Sequence, residues 1–272
     1  MSAGPSAIPL RPRTAIALAL ASAVGVLAFA WPLLIRPGTV LEQDANAPLL
    51  LGAVLISVMV VVLIALGDGG IDVKAIAVLG LLSAVGAVLR PLSAGSAGIE
   101  LVFFFILLGG RVFGPGFGFA LGSTTLFTSA LLTGGVGPWL PFQMLAASWM
   151  GMGAGLLPRR LRGAGEVVML AVYAAICGFA YGQAMNLSFW PFTLGPDTAL
   201  SFVAGAPLWE NLQRFLLFST VTSLGWDLVR AVVLAAGVAL IGRPVLAALR
   251  RTARRAAFAK APARRAADES AD

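Results

Sequence analysis

Residues Gly109–Pro158 read GGRVFGPGFGFALGSTTLFTSALLTGGVGPWLPFQMLAASWMGMGAGLLP. Two apolar stretches rich in Gly, Ala, Ser and Thr flank a turn with the sequence GPWLPFQM at 137–144. Small residues let helix backbones approach one another closely inside a bilayer. Close packing matters there because lipid tails are as apolar as the side chains, so burial of apolar surface does not hold helices together. The stretch therefore predicts two closely packed membrane helices joined by a rigid turn, with Trp139 and Gln143 at the mouth of a cavity.

The composition of the whole chain is typical of a membrane protein. Of its 272 residues, 59% are hydrophobic and 11% are charged, whereas soluble domains carry roughly 25% charged residues. The chain has no histidine, which removes the commonest metal ligand and general base, and it has no GxxxxGK[ST] loop for ATP. We therefore assign no catalytic residue, metal or cofactor. The net charge of +7 indicates an attraction to anionic lipid rather than to nucleic acid.

Eight apolar segments predict eight membrane spans. A span needs about 20 residues, and the first, second, seventh and eighth segments reach that length. The segments are Thr14–Ile35, Ala47–Leu66, Ala75–Leu89, Gly98–Gly110, Phe117–Thr133, Phe142–Leu157, Val167–Ser188 and Phe215–Ile241. Because the number of spans is even, both termini are expected on the same side of the membrane.

Basic residues predict which side that is. With the N-terminus inside, seven basic residues before and between the spans and eight in the tail give 15 cytoplasmic charges. Arg36, Arg90 and Arg214 are then the outer ones. The excess of inner charge predicts that both termini are cytoplasmic. The tail after Arg243 is basic and amphipathic at first, which suits the inner leaflet, and its polar end is expected to be disordered.

The first apolar segment has an alternative interpretation as a signal peptide. Arg11 and Arg13 precede the apolar run, and Ala28–Ala30 has the small-residue pattern of a cleavage site. The run continues through Trp31–Ile35, so we expect an uncleaved anchor helix.

Charged side chains inside a membrane are costly and suggest a function. The sequence places one such pair at depth, Asp227 and Arg230, whose i, i+3 spacing puts them on one helix face. Two interpretations stay open: a self-neutralising pair that also fixes a neighbouring helix, and a pair that lines or gates a polar cavity. Arg90 and Glu100 flank a Ser/Gly loop, where they are candidates for a salt bridge or for contact with a ligand.

Aromatic and amide side chains at the predicted outer helix ends form a candidate ligand site. Apolar walls with a few well-placed polar groups are typical of small-molecule pockets. The candidates for ligand contact are Trp139, Phe142, Gln143, Asn186 and Arg90. Gly80 and Ala84 have the spacing that seats a neighbouring helix, so we expect them to dock a membrane partner.

The runs LLGGRVFGPGFGFALG at 107–122, GPWLPFQM at 137–144 and residues 151–157 resemble the S components of energy-coupling factor (ECF) vitamin transporters. The turn is most similar to that of actinobacterial and cobalamin-type members. The resemblance implies an all-α polytopic membrane protein with a six-helix core at residues 75–242. Residues 1–74 would add a cytoplasmic tail and two N-terminal transmembrane helices, and residues 243–272 a basic cytoplasmic tail.

An S component captures a vitamin or related micronutrient at its outer face and works with a membrane T component and two cytoplasmic ATPases. The resemblance thus implies the capture subunit of an ATP-driven importer in a bacterial cytoplasmic membrane, with cobalamin as the leading substrate. The chain departs from the family pattern in its two extra helices and in Gly80 and Ala84, where an AxxxA motif is expected. Leu140 and Phe142 also replace the Thr and Trp of the cobalamin-type turn. Two other functions stay open, a stand-alone carrier with proton coupling at Asp227 and a membrane scaffold without transport.

Overall fold

The computed structural model describes residues 8, 10–34, 47–68, 73–93, 98–194 and 198–256, and every regular element within them is helical. The α-helices are α1 (Pro12–Phe29), α2 (Trp31–Leu34), α3 (Ala47–Asp68), α4 (Val73–Ser93), α5 (Val102–Phe113), α6 (Pro115–Thr133), α7 (Leu140–Leu156), α8 (Ala164–Phe189), α9 (Leu208–Thr222) and α10 (Leu224–Ala256). A 3₁₀ turn at Trp190–Phe192 follows α8. Each predicted apolar segment contains a helix, so the all-α class is confirmed.

Several described helices have the length and composition of membrane spans. Five qualify outright, and two shorter apolar helices accompany them. The five are Pro12–Phe29, Val73–Leu92, Pro115–Thr133, Ala164–Phe192 and Leu224–Arg255, and the shorter two are Leu50–Ile64 and Val102–Phe113. Val168, Val172 and Ile176 are exposed one turn apart on α8. Such an apolar outer surface is expected where side chains face lipid tails.

The last predicted segment, Phe215–Ile241, is two helices rather than one. The chain leaves helical geometry at Ser223, with φ −136° and ψ −9°, and α10 begins at the next residue. Asp227 and Arg230 therefore lie in the first two turns of α10 and not at the middle of a span. This break corrects the depth expected for the pair.

α10 also extends into the predicted tail. It runs for 33 residues and passes through Pro244 to end at Ala256. Leu246 and Leu249 from this extension are buried in the hydrophobic core. The first part of the tail thus packs against the bundle, while the end predicted to be disordered, residues 257–272, lies outside the described residues.

The centre of the bundle is a close contact of α5, α6 and α7. Gly110, Gly118 and Gly151 meet there, one from each helix, and a Cβ atom on Gly118 would lie against the backbone of the other two. The hydroxyls of Ser123 and Ser148 are hydrogen bonded between α6 and α7, 2.7 Å apart. The small residues of the 109–158 stretch therefore bring helix backbones into direct contact, as their pattern predicts.

The N-terminal helices pack on one flank of this core. Trp149 Nε1 of α7 donates a hydrogen bond to Ser22 Oγ of α1 at 3.0 Å. Trp31 Nε1 of α2 donates to the carbonyl oxygen of Ser188 on α8 at 2.9 Å. These side chains fix the N-terminal helices to α7 and α8.

A second buried ionic cluster lies at the opposite end of the bundle from Asp227. Arg111, expected in an inner loop, is instead in the last turn of α5 and only 3% exposed. Its Nε donates to Glu166 Oε1 of α8 at 2.7 Å, and Arg250 Nη2 of α10 binds the same carboxylate at 2.6 and 2.8 Å. The expectation of a single buried pair is therefore wrong, because Arg111 of α5 and Glu166 of α8 form a second buried ion pair. We call this end of the bundle the arginine end.

Candidate ligand-binding site

A cavity of about 400 Å³ opens at the end of the bundle opposite the arginine end. Its walls come from the ends of α4 and α8, from the segment that precedes α5, and from the beginnings of α7 and α10. The lining residues are Arg90, Gly98, Ile99, Glu100, Gln143, Tyr181, Gly182, Met185, Asn186, Ser223, Trp226, Asp227 and Arg230. Two arginines and two carboxylates are among them, so the lining carries charge of both signs and no net charge.

Glycines on α8 let the charged face of α10 approach. Gly178 and Gly182 are four residues apart and face α10. A Cβ on Gly182 would collide with the carboxylate of Asp227 and the guanidinium of Arg230, and one on Gly178 would press on the backbone of Ala231. This GxxxG pair therefore forms the groove in which the ion pair lies.

Arg230 is the centre of the charged wall. Its Nη1 donates to Asp227 Oδ1 at 2.7 Å and its Nε to Glu100 Oε1 at 2.9 Å. Its guanidinium also lies over the ring of Tyr181, 5.4 Å from the centroid, a favourable cation–π position. Arg230 Nη1 further donates to the carbonyl oxygen of Gly178 at 3.3 Å. The ion pair expected from the i, i+3 spacing is thus present. It holds the neighbouring helix α8 and it also lines a cavity, so each of the two interpretations of the pair describes part of the geometry.

A chain of hydrogen bonds extends this wall to α9. Gln183 Nε2 donates to Asp227 Oδ2 at 2.8 Å, and Gln183 Oε1 accepts from Ser219 Oγ at 2.8 Å. Asn186 Nδ2 donates to the hydroxyls of Ser219 and Ser223. Asn186 therefore links the cavity to the break between α9 and α10.

The opposite wall contains the other two candidate polar contacts. Arg90 Nη2, from the last turns of α4, donates to Gln143 Oε1 in the first turn of α7 at 2.8 Å. Pro141 is among the first residues of α7 and helps to set where the helix begins. The guanidinium and the amide are thus held together at the rim of the cavity.

The structure separates the five predicted ligand contacts into two groups. Arg90, Gln143 and Asn186 line the cavity, whereas Trp139 and Phe142 are absent from its lining. Trp139 is 44% exposed at the start of α7, and Phe142 is 1% exposed.

Phe142 faces the N-terminal helices. Its ring packs edge to face on Phe29 of α1, with centroids 5.2 Å apart, and on Phe189 of α8, 5.3 Å apart. A tight aromatic cluster of this kind stabilises helix packing. The N-terminal helix α1 therefore packs against a side chain that the turn motif alone assigns to the ligand.

The sequence does not indicate how two residues of the cavity are partnered. Glu100, a candidate for a salt bridge with Arg90 or for contact with a ligand, is bound to Arg230, 130 positions away. Tyr181 lies between the two glycines of α8 and contacts the same arginine. The signal available was the GxxxG pattern at 178–182 in an apolar helix, which marks a close helix neighbour.

Gly80 and Ala84, the predicted docking residues, lie far from the cavity lining. Both are exposed on α4, and no atom lies within 4 Å of the position that a Cβ on Gly80 would take. By contrast, Ser83 and Ala87 of the same helix are buried, and Ser83 Oγ is 2.7 Å from Thr124 Oγ1 of α6. One face of α4 therefore packs on the core and the other presents small residues outward.

The cavity is suited to recognition of a polar small molecule. It offers guanidinium and amide donors and carboxylate and amide acceptors within an enclosure of the size that ligand pockets typically have. Among the residues described, no group of three or more His, Cys, Asp or Glu side chains is placed to hold a metal ion.

Comparison with known proteins assigns the family. A family model described as "ECF transporter, substrate-specific component" matches residues 74–247, more than half of the chain. No curated protein and no solved structure shows a significant match. Members of this family are membrane transport subunits that bind small-molecule substrates and work with a T component and ATPases. The match covers every helix that lines the cavity, and the chain therefore belongs to the family of ECF transporter substrate-specific components.

Proposed function

We propose that this chain is the substrate-capture subunit of an ATP-driven ECF importer and that the charged cavity holds its substrate, a vitamin-like micronutrient. The observation that carries the proposal is the convergence of Arg90, Glu100, Gln143, Asp227 and Arg230 on one cavity inside the matched region. The distribution of basic residues supports cytoplasmic termini and a cavity that faces outward. A bacterial cytoplasmic membrane is part of the same proposal.

The size and charge of the cavity favour a small polar substrate. A volume of about 400 Å³ is near the lower end of the range for drug-sized ligands. Cobalamin, suggested by the turn, is several times larger than such ligands and would have to sit mostly outside the cavity. A balanced lining instead favours a compact molecule with both donor and acceptor groups, or with charges of both signs.

The test is to identify what the protein retains and what it needs in order to import. Native mass spectrometry of the purified chain is expected to show one small molecule bound per protein. In vesicles, the chain alone is expected to bind this molecule without concentrating it, and uptake is expected only with the T component and ATPases. Concentrative uptake by the chain alone, abolished by a protonophore, would favour the stand-alone carrier, and absence of any ligand would favour the scaffold.

Gln143→Ala is expected to weaken substrate binding about tenfold, because a hydrogen bond to the ligand and the placement of Arg90 are both lost. Gln213→Ala is the matched control, since this glutamine is exposed on α9 and does not line the cavity. The measurement is the dissociation constant of the co-purified ligand by calorimetry. Equal affinities for the two variants would remove Gln143 from the site.

Gly80→Leu is expected to abolish uptake in the reconstituted importer and to leave substrate binding unchanged. The added side chain meets open space in the isolated chain, so it disturbs only a partner that approaches α4. Gly67→Leu on α3, also exposed and without neighbours within 4 Å, is the control and should transport normally. Normal uptake by Gly80→Leu would place the docking face elsewhere.

A further inference from the structure

The arginine end of the bundle has more positive charge than its buried carboxylate neutralises. Glu166, with a side chain 3% exposed, is bound by both Arg111 and Arg250. Arg111 also donates to the carbonyl oxygens of Leu157 and Pro158, at 2.8 and 3.1 Å. Three of the five N–H donors of Arg111 are thus used within the protein. Glu166 carries one negative charge against the two positive charges of Arg111 and Arg250, which leaves one positive charge in excess.

A third arginine joins the cluster from the turn between α7 and α8. Arg159 Nη2 donates to the carbonyl oxygen of Arg111 at 3.4 Å. Burial, together with the charges of Arg111 and Arg250, lowers the pKa of Arg159. Among the described residues, three guanidinium groups around one carboxylate give two positive charges in excess, and an anion would relieve the repulsion among them.

Apolar side chains border this excess charge. Leu156 at the end of α7, Leu161 in the turn and Val168 at the beginning of α8 are 63%, 45% and 62% exposed. Arg250 lies near the end of α10, whose 33 residues span about 50 Å, more than the ~30 Å of a bilayer's hydrocarbon core. The arginines therefore lie at the level where an apolar surface gives way to a polar one.

We propose that Arg159 and Arg250 form a binding site for the phosphate group of an anionic phospholipid. The planar guanidinium binds phosphate oxygens in a bidentate manner, and Arg250 is positioned for this by its bonds to Glu166. The exposed apolar residues beside the turn provide a surface for the acyl chains, which a free phosphate ion does not need. The site is at the opposite end of the bundle from the substrate cavity and is independent of the proposed function.

The test compares lipids and variants on the full-length purified chain in neutral detergent. Phosphatidylglycerol is expected to be retained in native mass spectrometry and to raise the melting temperature, whereas phosphatidylcholine with the same acyl chains is not. Arg159→Gln is expected to weaken phosphatidylglycerol binding about fivefold, the effect of one arginine at a lipid surface. Arg251→Gln removes an exposed arginine one residue from Arg250 and should bind as the unaltered chain does.

Three outcomes would overturn the site. Equal losses in Arg159→Gln and Arg251→Gln would indicate diffuse attraction to a basic surface. Protection by inorganic phosphate alone, with the same dependence on Arg159, would identify a phosphate site without a lipid. Unaltered phosphatidylglycerol binding in Arg159→Gln would exclude the residue. The melting temperature of each variant without lipid, together with Arg159→Lys, which keeps the charge, separates these results from a failure to fold.

Discussion

Arg230→Met is expected to lower the free energy of unfolding by about 3–5 kcal/mol, the cost of leaving a buried charge without its partner. The substitution removes a guanidinium that binds Asp227, 2% exposed, and Glu100. Methionine keeps much of the side-chain volume, so the loss reports on charge more than on packing. Unfolding in mixed detergent micelles, followed by circular dichroism, gives the difference.

Two further variants make this result interpretable. The double variant Asp227→Asn with Arg230→Met is expected to recover part of the loss, because the uncompensated carboxylate is removed as well. Arg214→Met breaks the partly exposed Glu210–Arg214 pair of α9, which is less buried than the cavity pair, and should cost less than about 1 kcal/mol. Similar losses for Arg214→Met and Arg230→Met would show that the cavity pair is not energetically distinct from a surface one.

Gly118→Ala is expected to destabilise the protein by about 3 kcal/mol, at the upper end of the cost of overpacking. The new methyl group would meet the backbones of Gly110 and Gly151, and a backbone, unlike a side chain, has no other rotamer to adopt. Relief requires α5, α6 and α7 to separate, which also loosens the contacts on either side.

Gly80→Ala provides the matched comparison for Gly118→Ala. It makes the same chemical change in an exposed helix position with nothing within 4 Å, and the better helix propensity of alanine should stabilise by roughly 0.5–1 kcal/mol. The measurement is again unfolding in mixed micelles. If Gly118→Ala changes the free energy of unfolding no differently from Gly80→Ala, the helices are not in backbone contact at this crossing.

The sequence predicts the helices well because membrane packing leaves a local pattern. Gly118 and Gly151 belong to runs of small residues that have no role in a helix facing only lipid, and they are the residues at the crossing. The apolar character of each segment likewise follows from burial in lipid and needs no knowledge of its neighbours. These features are properties of short stretches of chain, and short stretches are visible in one sequence.

The cavity is harder to predict because its residues are distant in sequence. Glu100 precedes α5 and Arg230 belongs to α10, and nothing local to either residue specifies the other as its partner. The break at Ser223 lies in the run STVTSLG at 219–225, whose small and hydroxyl side chains also occur in continuous membrane helices and so do not specify a break. Phe142 illustrates a further difficulty. It occupies a position of the turn motif, but its side chain packs against α1, and the motif alone does not reveal which neighbour the side chain contacts.

Because the cavity is assembled from four helices and the segment that precedes α5, an occupant would act as a noncovalent cross-link between parts of the chain far apart in sequence. A ligand that binds only the folded state raises the free energy of unfolding, by about 2.7 kcal/mol when the free compound is at a hundred times its dissociation constant. A panel of candidate nutrients can accordingly be ranked by thermal denaturation of the isolated chain. Such a screen requires neither radiolabelled solute nor the remaining subunits of the importer.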